Sequence, residues 1–305
     1  MESLPVSASV RRLVPSTATE AELTGMVRAH YDSEPMLRLA GEIHFDDELS
    51  RAEVRAAARV FGEPLPELVY LPCAGTLRHA APLLAEGVRQ VVAVDLSEPS
   101  LAAGLGRNVP AGLRGHVTAY HGDVRDAGQV LPEGGASLAF LGGNSLGDVT
   151  TPAGHRQFLH ALARSLAPGG VLVLDYVSDR YLPAGTGPST SEWPQVWHGP
   201  EGDVDVVDRR TRTCRALGTT GMALLRIRCD ILELPSRRPL VPAHVYSKLI
   251  VPDPLLKEQF AEAGLELTNA GPVADWSDYH RDRIDQVGDL GMMGEPDCWY
   301  RAVRP

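Results

Sequence analysis

Between residues 67 and 177 five short apolar runs alternate with helical segments, and this rhythm leaves few folds open to the chain. The runs are 68–72 (LVYLP), 91–95 (VVAVD), 117–120 (VTAY), 137–141 (SLAFL) and 171–177 (VLVLDYV). Each is apolar almost throughout and bounded by turn residues, as expected of strands covered by helices on both faces of a sheet. The clearest helix follows Thr151-Pro152: a capping Thr and Pro in the first turn precede Phe158, Leu159, Leu162 and Leu166 on one face, and Pro168-Gly169-Gly170 is expected to stop it. Strands separated by helices predict a parallel, doubly wound sheet.

Outside this stretch the pattern changes. Residues 1–20 are rich in Ser, Pro and Thr, whereas 20–61 turn helical, with Leu23, Met26, Val27 and Tyr31 at three- and four-residue spacing. Beyond 177 a Pro- and Gly-rich segment (182–202) leads into three strand-like stretches, 204–217, 222–234 and 241–251, with no helix between them. Consecutive strands of this kind predict an antiparallel meander. A helix at 254–263, closed by Gly264, and a strand at 299–303 follow. The expectation is an α/β fold: a doubly wound, mostly parallel Rossmann-like sheet with an N-terminal helical cover and an antiparallel β insertion. The divisions are 1–66 (arm and cover), 67–181 (core), 182–252 (antiparallel substrate or lid subdomain) and 253–305 (helix and strand completing the core).

Charge and composition exclude several functions. With 29 basic and 39 acidic residues the net charge is −10, so the chain lacks the positive field with which proteins gather nucleic-acid phosphates. An apolar fraction of 44% with 22% charged residues is that of a globular protein. No run reaches the length of a membrane helix, and no apolar stretch follows the early Arg pair to make a secretory signal. Cys73, Cys214, Cys229 and Cys298 form no CxxC pair, so neither a metal site nor a disulfide framework is signalled. A cytoplasmic protein with reduced thiols is expected, and its oligomeric state is left open.

Ligands of parallel sheets bind at the carboxyl ends of the strands, near the reversal of strand order. The first such end carries Cys73, Ala74 and Gly75, a small-residue loop before a helix, where free amides meet a ligand. It lacks full GxGxxG spacing. Asp95, with Leu96 beside it, ends the next strand 20 positions after Gly75, where nucleotide-binding sheets place the acid that takes ribose hydroxyls; it can equally serve as a helix cap. Asp123 and Val124 follow the third strand, where a carboxylate can accept an adenine amino proton or simply support a turn.

Taken together, the Gly-bearing loop, Asp95, Asp123, the phrase LAFLGGNSLGDV and the segment LARSLAPGGVLVLDYV resemble the class I S-adenosylmethionine-dependent methyltransferases, in particular the glycine N-methyltransferase-like small-molecule branch. The resemblance spans residues 20 to 270 and is strongest from 67 to 177. It implies S-adenosyl-L-methionine as cofactor, with Cys73, Ala74 and Gly75 at its methionine part, Asp95 and Leu96 at the ribose, and Asp123 and Val124 at the adenine. It also implies Asn144 near the sulfonium and substrate, and Arg51 on the cofactor carboxylate. The sequence departs from the pattern at Leu71, where an acid is usual, and at Cys73 and Leu77, where glycines are expected. Val177 stands where glycine-methylating relatives have an arginine, so free glycine is not the expected acceptor.

Transfer from a sulfonium has a good leaving group and requires chiefly alignment and a deprotonated nucleophile. Tyr31, His44, Tyr176, His244 and Tyr246 are candidates for handling that proton. Tyr176, at the end of the fifth strand, is preferred, with Asn144 and Tyr31 in support. The expected reaction is methyl transfer to an N or O nucleophile of a small molecule in specialised metabolism. The alternative is transfer of the 3-amino-3-carboxypropyl group, or ring closure of azetidine-2-carboxylate type, releasing methylthioadenosine. A nicotinamide enzyme would show a fuller GxGxxG loop, and a non-catalytic binding protein on the same fold is the remaining reading.

Overall fold

The computed structural model of the chain describes residues 9–14, 25, 28–33, 37, 47–62, 64–132, 134–177, 187–199, 202–274, 276–279 and 298–305. In chain order the first elements are β1 (Arg11–Arg12), α1 (Asp47–Phe61), β2 (Leu68–Pro72), α2 (Ala80–Ala85), β3 (Gln90–Asp95) and α3 (Glu98–Arg107). Next come β4 (Val117–His121), β5 (Ala136–Leu141), α4 (Pro152–Ser165), β6 (Leu166–Asp175), β7 (Ser189–Gly199) and β8 (Gly202–Ala216). β9 (Ala223–Glu233), β10 (His244–Ile250), α5 (Asp253–Glu262), β11 (Glu266–Asn269) and β12 (Trp299–Val303) follow.

An eight-stranded sheet runs in the order β1-β4-β3-β2-β5-β6-β12-β11. Its strands are parallel except β12, which is antiparallel to β6, and β11, which is antiparallel to β12. Alternating side chains divide the core into two layers, because successive residues of a strand face opposite sides. Val69, Leu71, Val91 and Val173 pack with Ala52, Val54, Leu83 and Leu101 of α1, α2 and α3. Tyr70, Val92, Leu172 and Leu174 pack on the other face with Leu159 and Leu162 of α4 and Phe260 of α5. The sheet is therefore doubly wound. Thr151 caps α4 by accepting the Gly154 amide, as expected from Thr151-Pro152.

Three features differ from the sequence expectation. α4 ends at Ser165, and Pro168-Gly169-Gly170 lies inside β6, at an irregular register where Leu166 pairs with Ala136 and Val171 with Leu138. The Pro-Gly-Gly step makes a bulge rather than a helix stop. The separate antiparallel sheet has four strands, β10-β9-β8-β7, not three. Its extra strand, β7, contains Pro194, which an edge strand tolerates because the missing N–H can point away from the ladder. Finally β11 is only four residues long, too short for its pattern to be read. Much of the predicted N-terminal cover, including Leu23, Met26, Val27 and His44, lies outside the described residues.

β2 is flanked by β3 on one side and β5 on the other. The chain reverses its direction of build at this point, opening a crevice at the strands' carboxyl ends. Among the described residues, no helix is long and apolar enough to cross a membrane.

Candidate active site

The crevice opens into a cavity lined by residues from the loops that follow β2, β3, β4 and β5. Cys73, Ala74 and Gly75 line it from the loop after β2, and Asp95 and Leu96 from the end of β3. Asp123 and Val124 contribute from the loop after β4, and Tyr31 from a helical turn at 28–31.

The first loop keeps a glycine-type backbone with only one glycine. Cys73, Gly75 and Leu77 have φ of 53°, 49° and 58°, all left-handed, a conformation that side chains disfavour. The loop is braced from beneath by α3. Asn108 Nδ2 donates to the Thr76 carbonyl (2.7 Å), and a Cβ on Gly104 would lie 2.1 Å from that same oxygen, so only glycine lets the helix come this close.

Asp95 ties the first loop to the second. Its Oδ2 accepts the Gly75 amide and its Oδ1 the Ser97 amide, each at 2.7 Å. The helix cap itself is Ser97, whose hydroxyl accepts the Ser100 amide. Burial pushes the Asp95 carboxyl up to about 6, against the pull of the two amides and with the help of nearby Asp148. Asp123, by contrast, is engaged by the Arg125 amide (2.8 Å), Nε (2.9 Å) and Nη2 (2.7 Å).

Further residues at the cavity were not among the sequence candidates. Arg78 forms a two-pronged pair with buried Glu53 of α1, while His79 shares Glu53 Oε2 at 2.7 Å. Burial alone would raise the Glu53 carboxyl, but Arg78 and His79 hold it down to about 2. Asp148, from the short 3-10 turn Ser145–Asp148, also lines the cavity. It accepts from Tyr31 Oη and is paired with Lys248 Nζ of β10, both at 2.8 Å.

Three expected site residues do not line the cavity. Tyr176 is fully buried; its hydroxyl donates to the Leu249 carbonyl (2.8 Å) and accepts the Val251 amide (2.9 Å). Both capacities are used in joining β6 to β10, so the geometry corrects the catalytic assignment to a structural one. Asn144 sits in a left-handed corner (φ 53°), its amide donating to Asp175 Oδ2 (2.9 Å), its side chain toward the Val177 amide and its carbonyl accepting from Lys248. It shapes the loop between Gly143 and Ser145, which do line the cavity. Arg51 lies exposed on α1 beside Asp47 (3.4 Å), on the solvent side rather than at the cavity. Arg78, which pairs with Glu53 of the same helix, does line the cavity.

Of the other proton-handling candidates, Tyr31 holds its proton firmly, since burial and then the Asp148 charge raise its pKa well above the usual value. His244 and Tyr246 stack with His30 on the face of the second sheet (centroids 5.4 and 4.7 Å from His30).

No family model matches the sequence, nor does any curated protein. Solved structures do match the fold. The CcbJ methyltransferase of Streptomyces caelestis aligns with a TM-score of 0.60 at 18% identity, over 85% of this chain and 95% of that one. CalS10, an amino pentose methyltransferase of Micromonospora echinaspora solved with S-adenosylmethionine bound, aligns at 0.57 and 17% identity, over 86% and 92%. The sugar N-methyltransferase KedS8 of Streptoalloteichus sp. ATCC 53650 gives 0.54 and 20%, over 85% and 88%. The chain therefore has the fold of S-adenosylmethionine-dependent methyltransferases, with the mostly parallel sheet and a separate antiparallel sheet.

Proposed function

We propose that the protein is an S-adenosylmethionine-dependent methyltransferase acting on an N or O nucleophile of a small molecule in specialised metabolism. The observation that carries this reading is Asp95: a half-buried carboxylate at the end of β3, inside the switch-point cavity, whose only described partners are two loop amides. Its remaining lone pairs suit the two hydroxyls of a ribose. Asp123 and Val124 then frame the adenine, and the Cys73–Gly75 loop faces the methionine part. Arg78, already oriented by Glu53, takes the carboxylate role expected of Arg51, for which a guanidinium fork is well matched.

When bound, the cofactor supplies an electrophilic methyl group on a good leaving group. The chain's part is to hold the donor in line and to exclude water. Methyl transfer is favoured over transfer of the aminocarboxypropyl group because Cys73 and Leu77 keep the left-handed path expected of the glycines they replace. The altered residues thus give no reason to turn the sulfonium. The sugar N-methyltransferase and amino pentose methyltransferase among the structural neighbours support a small-molecule acceptor and, within that class, nitrogen. We place the chain near the glycine N-methyltransferase-like branch without glycine as acceptor, Val177 standing where the carboxylate-binding arginine is expected.

Incubating the protein with S-adenosylmethionine and a panel of amino sugars, aliphatic amines and phenols tests the reading. Acceptor-dependent S-adenosylhomocysteine is the expected product. Methylthioadenosine alone would assign the aminocarboxypropyl or ring-closing chemistry instead.

A further inference from the structure

Among the described residues three carboxylates line the cavity, and they are held in different ways. Asp95 is fixed by loop amides and Asp123 by Arg125. Asp148 alone is tied to the second sheet, through Lys248 of β10, and to the turn at 28–31, through Tyr31. It is close enough to Asp95 and Cys73 for its charge to raise both their pKa values. Asp148 lines the same cavity as Asp95 and Cys73, the residues proposed for the ribose and methionine parts, and its pair with Lys248 puts it on the side on which the antiparallel sheet stands.

Resting on the methyltransferase reading, we propose that Asp148 is the carboxylate that receives the acceptor's ammonium group next to the transferring methyl, and that the acceptor is therefore an amine. Two features fit this role. Tyr31 and Lys248 each occupy one oxygen of Asp148, fixing the carboxylate plane while leaving lone pairs on both atoms. The Tyr31 hydroxyl is retained as a donor and does not compete for the acceptor's proton. An acceptor arriving as R–NH3+ loses one proton to solvent water while its remaining N–H groups donate to the Asp148 carboxylate. The freed nitrogen lone pair then forms the N–CH3 bond as the C–S bond breaks with its electron pair left on sulfur, yielding R–NH2+–CH3 and a neutral thioether, the released proton being taken up by the medium.

Sinefungin serves as the probe, because it carries an amine on carbon where the cofactor carries its sulfonium methyl, while S-adenosylhomocysteine lacks any group there. Calorimetric affinities of both ligands are compared for wild type, Asp148→Asn and Asp148→Glu. Asp148→Asn is expected to weaken sinefungin at least 10-fold and S-adenosylhomocysteine less than 3-fold, with Asp148→Glu restoring part of the sinefungin affinity. Equal loss of both ligands, or unchanged sinefungin affinity, overturns the role of Asp148 and leaves the methyltransferase reading standing. Failure of the wild type to bind S-adenosylhomocysteine overturns that reading and this inference with it.

Discussion

Cys73 and Leu77 show how a side chain can occupy a glycine's place when its surroundings decide the matter. Both adopt left-handed backbone (φ 53° and 58°), which costs roughly 1–2 kcal/mol per side-chain-bearing residue. Leu77 is wholly buried among α1 and α3 residues, whereas Cys73 is half-buried at the cavity wall. Removing a buried Leu side chain costs about 2–5 kcal/mol, more than the strain it would relieve. Leu77→Gly is therefore expected to lower stability by roughly 1–3 kcal/mol in urea unfolding, while Cys73→Gly changes it by less than ~1 kcal/mol. A Leu77→Gly protein as stable as wild type would show that the side chain contributes nothing to offset the strain.

Legibility at this scale was uneven for a physical reason. Asp95 could be placed because a loop, one short helix and one strand separate it from Gly75 by a nearly fixed length. Arg78 and Asp148 could not. Polar residues in loops follow no periodicity, and their partners are distant in sequence: Tyr31 is 117 positions from Asp148, and Glu53 is 25 from Arg78. The one available signal for Asp148 was its position in the Gly-rich segment after the fourth strand. Tyr176 was misassigned because a strand's end is visible in sequence, but the residues that clamp its hydroxyl, 73 and 75 positions onward, are not.

Among the elements, α3 is the support on which the first loop rests. Its Gly104 lies against Thr76, and its C-terminal Asn108 holds the Thr76 carbonyl. Gly104→Ala favours the helix by propensity, yet its methyl would require the backbone of the loop or helix to move. Overpacking of this kind costs about 1–3 kcal/mol, against the ~1 kcal/mol that Ala gains over Gly in a helix. The variant is expected to bind S-adenosylhomocysteine at least 10-fold more weakly than wild type and to show no gain in urea midpoint. A stabilised variant with unchanged affinity would mean that the loop accommodates the methyl freely. The parallel core was readable from its apolar rhythm, and α5 and β12 were placed within a residue or two. β7 was not, because Pro and Gly in an edge strand look like loop.

The two sheets are joined by the buried Tyr176 clamp and, at the cavity wall, by the Lys248–Asp148 pair. The net charge of −10 disfavours nucleic-acid acceptors, while at the cavity itself Asp123 is paired with Arg125, Asp148 with Lys248, and Asp95 is held by two amides. The resting Asp95 carboxyl, raised by burial to about 6, makes the binding pH-dependent. Ribose hydroxyls favour its ionised form, so affinity is full above pH 7 and falls as pH drops through 6.

Calorimetric titration with S-adenosylhomocysteine and with NAD, on wild type and Asp95→Asn between pH 5 and 8, separates an S-adenosylmethionine site from a nicotinamide site. One S-adenosylhomocysteine is expected to bind per chain, in preference to NAD. Affinity is expected to fall as pH drops through 6 and, for Asp95→Asn, to weaken 10- to 100-fold, about 1.5–3 kcal/mol for hydrogen bonds to a charged group. Preferential binding of NAD, or no binding of S-adenosylhomocysteine at any pH, would contradict the S-adenosylmethionine site.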